Sequence, residues 1–214
     1  MQTSMTHRIA AIGFILLAAV SCTPRLIQPG APGAAPHGIA RSEAVDLSKV
    51  QFSATDVKFM QGMIHHHAQA LDMTALISSR TAHEDMKLLG RRIEISQSDE
   101  INMMQRWLEV RGQGTPGIHD HHLPGATLMP GMLTDEEMDR LAEAKGAEFD
   151  RLWLEGMIKH HDGALVMVDE LFATPGAGQE SEVFAFASDV VADQKAEIDR
   201  MDAMLQEFQN ETRQ

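Results

Sequence analysis

The chain has 214 residues, with 31 acidic against 18 basic side chains, a net charge of −13 with histidines neutral, and a single cysteine. That charge balance repels a phosphate backbone and excludes a nucleic-acid-binding role, and one cysteine excludes a disulfide framework. The length suffices for a domain with a real core, and 15 methionines and 11 histidines beside no tyrosine direct attention to sulfur and imidazole chemistry.

His7 and Arg8 precede an apolar run from Ile9 to Val20 that ends at Ser21-Cys22. This is the pattern of a secretory signal peptide over residues 1–21, too short to span a membrane stably. Leu17-Ala18-Ala19-Val20-Ser21-Cys22 is similar to a bacterial lipobox, in which small residues precede a cysteine that is lipidated, although Ala19 replaces the usual leucine. The chain therefore reads as exported and lipid-anchored to a membrane through Cys22, in the periplasm or at the cell surface; the alternative is ordinary cleavage and a free secreted product. Loss of residues 1–21 removes one arginine and no acid, leaving 17 basic against 31 acidic side chains, or −14, a surface that attracts cations. Residues 22–50, with Pro24, Pro29, Gly30, Pro32, Gly33 and Pro36 in close order, read as a flexible linker.

A folded domain is expected over 51–210. Ser53 with Asp56 approaches a capping box, and Met60, Met63, Ile64, His67, Ala70, Leu71 and Thr74 recur at helical spacing, which predicts a first long helix over 54–79. Thr81 with Glu84 gives a second box, and Met86, Leu89, Ile93, Gln97, Glu100, Ile101, Met104 and Leu108 carry a second helix from 82 to 110. Residues 112–133 hold Gly, Pro and His without periodicity and form a loop of unusual length. Thr134 opens a short helix that breaks near Gly146. A third long helix is expected over 147–172, ended by Thr174-Pro175-Gly176, and a fourth over 180–209.

One pattern is written twice. Met63-Ile64-His65-His66-His67-Ala68-Gln69-Ala70-Leu71-Asp72-Met73 returns 94 positions on as Met157-Ile158-Lys159-His160-His161-Asp162-Gly163-Ala164-Leu165-Val166-Met167, with Gly62 matching Gly156 and Asp56 matching Asp150. Gln97, Glu100, Ile101, Met104 and Leu108 return 97 positions on as Gln194, Glu197, Ile198, Met201 and Leu205. The repeated unit is a helical hairpin, over 53–111 and 147–209. One hairpin cannot bury its apolar stripe but two can, so the expected fold is an all-α four-helix bundle with the histidine helices as neighbours.

On a helix, Met63, His66, His67, Ala70 and Met73 share one broad stripe, as do Met157, His160, His161, Ala164 and Met167. Adjacent histidines stand about 100° apart around the axis, so each motif is expected to contribute one inward histidine and one at a groove edge. Thioether prefers Cu(I) and imidazole accepts Cu(I), Cu(II) or zinc, so copper fits best, with zinc or nickel as alternatives. The eight stripe residues Met63, His66, His67, Met73, Met157, His160, His161 and Met167 are the candidate metal ligands. Binding is expected to weaken as pH falls through the imidazole range, about 6.5. The bland alternative is a methionine stripe that is simply core. The loop supplies a secondary candidate set, His119, His121, His122, Met129 and Met132, able to capture a metal without a preformed cage.

Gly62-Met63-Ile64-His65-His66 with its echo Gly156-Met157-Ile158-Lys159-His160-His161, the turn Met129-Pro130-Gly131-Met132, and Phe149-Asp150 resemble the bacterial domain of unknown function 305 family over residues 50 to 209. The resemblance implies a ferritin-like four-helix fold, export, and, for some members, copper binding through Met and His. Ferritin-like folds also house di-iron oxidases, which need Glu-x-x-His pairs; this chain has none, nor His-Glu-x-x-His, nor Gly-x-Ser-x-Gly. Glu100 and Glu197 read as groups that hydrogen-bond across the bundle or face solvent, with a mixed His and Glu site conceivable. The leading expectation is a metal-binding protein that sequesters or transfers copper, with no assigned catalytic residue. A structural module that binds a protein partner is the second, and a metal-dependent oxidoreductase the third.

Overall fold

Four long helices carry the fold of the computed structural model, which describes residues 26–39, 51–118 and 128–211. The signal peptide, Cys22 and the loop histidines His119, His121 and His122 lie outside the described residues. In chain order the elements are β1 (Leu26–Gln28), β2 (His37–Ile39), α1 (Ala54–Ala75), α2 (Ile77–Arg80), α3 (Glu84–Val110), α4 (Asp135–Glu143), α5 (Gly146–Ala173) and α6 (Ser181–Glu211).

The Ser53 capping box forms as expected: Asp56 N–H donates to Ser53 Oγ at 3.0 Å and Ser53 N–H to Asp56 Oδ2 at 2.6 Å. The buried Asp56 also accepts from Gly178 N–H at 2.7 Å, which ties the first turn of α1 to the connection between α5 and α6. The helix expected to reach residue 79 divides at Leu76, because Ile77 swings onto α3 and fills the space a Cβ of Gly90 would need. The box expected at Thr81 caps nothing: Thr81 is extended and closes α2, and its hydroxyl accepts from His83 N–H at 3.0 Å, so α3 starts at Glu84 without a side-chain cap. Thr134 and Glu137 do form a complete box on α4.

Helix α1 pairs with α3 and α5 with α6, and the two hairpins meet along α1 and α5. Those two run antiparallel, since Met167 lies against Gly62 while Met73 lies against Gly156. The apolar interior therefore falls into two clusters. One joins Phe59, Met60, Met63, Met104 and Trp107 to Val168, Phe172 and Phe186; the other joins Met73, Met86, Leu89 and Ile93 to Phe149, Trp153, Met157 and Met201. Between them, at mid-height of all four helices, lies a polar layer of His66, His67, Gln97, His160, His161 and Gln194, all buried. The result is an all-α, ferritin-like four-helix bundle of two repeated hairpins.

The segment read as a linker contains local order. β1 and β2 pair antiparallel with Leu26 opposite Ile39 and Gln28 opposite His37. Gln28 is 4% exposed and its amide bonds Phe172 O, Thr174 O and Gly176 N–H, docking the hairpin onto the end of α5. Composition hides this because a single buried Gln in a Pro- and Gly-rich stretch has no periodicity. No helix among the described residues is long and apolar enough to cross a membrane.

Candidate metal centre

A His-His pair on one helix serves two directions, because successive side chains turn by about 100°. His66 and His160 face each other across the α1–α5 seam, with ring centroids 3.8 Å apart and planes inclined by 39°. His160 Nε2 bonds His66 O at 2.9 Å, and His66 Nε2 bonds Pro130 O at 2.9 Å. His67 and His161 turn toward the outer helices, where His67 Nε2 meets Glu100 Oε2 at 2.5 Å and His161 Nε2 meets Glu197 Oε2 at 2.8 Å.

All four rings are fully buried, which overturns the expectation of one histidine per motif at a groove edge. The reason lies on α3 and α6. Glu100 and Glu197 occupy matching positions of the repeat and bring an acceptor to the second imidazole of each pair, while their own side chains stay 18% and 13% exposed. The repeat spacing marked both glutamates. Pro130 stands in the turn that carries the family resemblance, but its contribution is a backbone carbonyl, which no side-chain pattern reveals.

These bonds settle the proton positions. A carbonyl only accepts, so His66 and His160 carry their hydrogen on Nε2 and leave the Nδ1 lone pair bare; the Glu100 and Glu197 carboxyl oxygens likewise sit against Nε2 of His67 and His161. The Nδ1 atoms of all four are buried and have no hydrogen-bond partner. Burial lowers the His66 pKa to about 3, helped by the neighbouring His67 and His161 and opposed by the bond to Pro130. His160 is pushed well below its ordinary value by burial first, then by His66, His161 and His67. His66 and His160 are thus held as neutral imidazoles at the centre of the layer.

A short clasp covers the seam. Gln69 bonds both Leu133 O at 2.9 Å and Leu133 N–H at 2.7 Å. Gly131, at φ +77°, lies so close to α5 that a Cβ there would stand 2.7 Å from Gly163 Cα, and a Cβ on Gly163 would run into Pro130 O. The matching position in α1 is Gln69, so the two repeats receive the clasp differently: one by hydrogen bonds, the other by the absence of a side chain. Lys159, at the place of His65, instead pairs with Glu137 at 2.7 Å and anchors α4.

The thioethers flank the imidazole layer. Met63 and Met167 belong to one apolar cluster and Met73 and Met157 to the other. Met129 packs at the first cluster, with its sulfur 3.2 Å from where a Cβ of Gly62 would sit, and Met132 is buried. Gln97 and Gln194 are 1% and 3% exposed, and neither amide has a hydrogen-bond partner. Among the described residues, no three His, Cys, Asp or Glu side chains already converge as a metal cage. The donor set is paired imidazoles backed by thioethers, the chemistry of a soft or borderline ion.

Known structures share this fold. A DUF305 protein from Streptomyces coelicolor is 28% identical with a TM-score of 0.61 over 72% of this chain and 93% of that one. A DUF305 fragment from Deinococcus radiodurans is 28% identical with a TM-score of 0.62 over 73% and 98%. CopM in its Cu(II)-bound form is 29% identical with a TM-score of 0.59 over 72% and 97%. Among curated proteins, the uncharacterized protein L153 of Acanthamoeba polyphaga mimivirus is 38% identical over 63 residues, 29% of this chain, and the match spans 41% of that relative's length. The domain of unknown function DUF305 matches residues 56–205, a span that contains both histidine pairs and both Glu100 and Glu197, and the chain belongs to this family.

Proposed function

We propose that the protein binds copper outside the cytoplasm, through His66, His67, His160 and His161 with Met63, Met73, Met157 and Met167 behind them, and sequesters the ion or passes it on. One observation carries this reading: each of the four rings is buried, gives Nε2 to an oxygen acceptor, and keeps Nδ1 without a partner. Metal-ligating histidines are held in this way, with the far nitrogen bonded to a carboxylate or backbone carbonyl that fixes tautomer and orientation. A ring kept only for packing leaves a buried acceptor unsatisfied, at about 1–3 kcal/mol each, and four such atoms in one layer argue for a ligand. The similarity to CopM, solved with Cu(I), Cu(II) and silver, supports copper over zinc and nickel. Met129 and Met132, with His119, His121 and His122, remain the secondary donor set, and Cys22 the lipid anchor.

Burial changes the expected acid behaviour. His66 takes a proton in the folded domain only near pH 3, so protonation of that ring in place does not set the loss of binding between pH 6.5 and 3. Copper titration of the mature chain against His66→Gln/His160→Gln tests the function. Copper should raise the wild-type unfolding midpoint, by about 2.7 kcal/mol of stability at 100 times Kd, and the variant should lose most of that gain. Equal stoichiometry and affinity in the two proteins would overturn the proposal.

A further inference from the structure

The four imidazoles are sealed from solvent, yet a metal must reach them, and the two sides of the bundle differ in how that is possible. On the α1–α5 side the clasp closes the way: Pro130 O already holds His66, and Gly131 lies against Gly163 with no room for a single methyl group. On the far side, α3 and α6 make no seam comparable to those of the other neighbours. Between them lies a groove of about 690 Å³. Its lining includes Glu100 and Phe186, and these are the two residues behind which His67 stands. His67 is fully buried, bonds Glu100 through Nε2, faces the Phe186 ring at 6.4 Å, and has no hydrogen-bond partner on Nδ1.

We propose that copper enters through the groove between α3 and α6, with Asp189 and Asp193 gathering the cation at its mouth and Glu100 passing it to His67. This route rests on the copper-binding reading above. The groove also holds Asp99 and the Met103 thioether, so hard and soft donors line one path. The Asp193 carboxyl is pushed up by burial first and then by Glu100, Glu197 and Asp189, with Arg92 opposing, so the acids are grouped closely. Of the two arginines in the lining, Arg106 and Arg111, the second is engaged by Glu180 and Glu182 at 3.3 and 2.9 Å. The lining sets Asp99, Glu100, Glu182, Asp189 and Asp193 against Arg106 and Arg111, and a concave surface with such an acidic excess over a low-dielectric wall concentrates a cation and raises its association rate by about 10- to 1,000-fold, an effect that salt suppresses.

The test is stopped-flow uptake of Cu(II) by the full mature chain. Asp189→Asn/Asp193→Asn changes exposed side chains and should slow loading about fivefold or more at low ionic strength, with the deficit vanishing in high salt and the final stoichiometry unchanged. Ala185→Trp places bulk in the groove from an exposed position and should slow loading at every salt concentration. Uptake at wild-type rate in both variants overturns the route and leaves the copper reading standing. Absence of any uptake by the wild-type chain overturns both.

Discussion

Keeping His66 neutral inside the bundle should make the metal-free domain lose stability as soon as the pH drops below the imidazole range. The group titrates near 6.5 in the unfolded chain and near 3 in the folded one. Above 6.5 both states are neutral and the shift contributes nothing. Between 6.5 and 3 the unfolded chain takes a proton that the folded chain refuses, so stability falls as pH falls, by about 1.4 kcal/mol per pH unit for this one group. From pH 7 to pH 5 the loss from His66 is about 2 kcal/mol, and His160, shifted in the same direction, adds to it. Urea unfolding of chelator-treated protein at pH 7, 6 and 5 measures the slope, and His66→Gln removes this proton site together with its smaller push on His160. Glutamine retains an N–H for Pro130 O but takes up no proton, so the variant should be less acid-sensitive by about 2 kcal/mol at pH 5. The reasoning fails if the two slopes coincide.

Glu100→Leu should cost about 1–3 kcal/mol in urea unfolding, since it leaves the buried His67 Nε2–H without an acceptor, whereas Glu100→Gln keeps an acceptor and should recover most of the loss. Trp153→Ala removes a fully buried ring whose Nε1–H bonds Met73 O at 3.0 Å, and calorimetry should show a loss of about 3–5 kcal/mol, roughly 10 °C in Tm. Gly163→Ala should displace the clasp, destabilising by about 1–3 kcal/mol and speeding hydrogen exchange at the Leu133 amide that Gln69 now protects. Met157→Leu conserves volume and should cost less than about 1.5 kcal/mol, while Cu(I) affinity falls in competition titrations and Cu(II) affinity holds.

The duplication at Met63 and Met157, the stripes, and the capping residues at Ser53 and Thr134 were legible without coordinates, because helical periodicity and end chemistry are local properties of the chain. Local reasoning failed where a partner came from elsewhere. Helix α1 stops at Leu76 because Gly90 of α3 accepts Ile77, and Thr81 closes a turn rather than capping a helix. Gln28 binds the end of α5 from within a segment whose composition reads as linker. One histidine of each pair was expected at an edge, and the reach of Glu100 and Glu197 from neighbouring helices gives the second of each pair a buried partner.

Sequence alone determined that this chain makes a pair of amphipathic helices, twice over, with imidazole and thioether on the paired faces. Tertiary structure decided which nitrogen of each ring is bonded and which stays bare, that a proline carbonyl closes one side of the layer, and that an acidic groove opens the other. The physical reason is that periodicity is written residue by residue, whereas burial of a polar group is decided by the acceptors that distant segments bring to it.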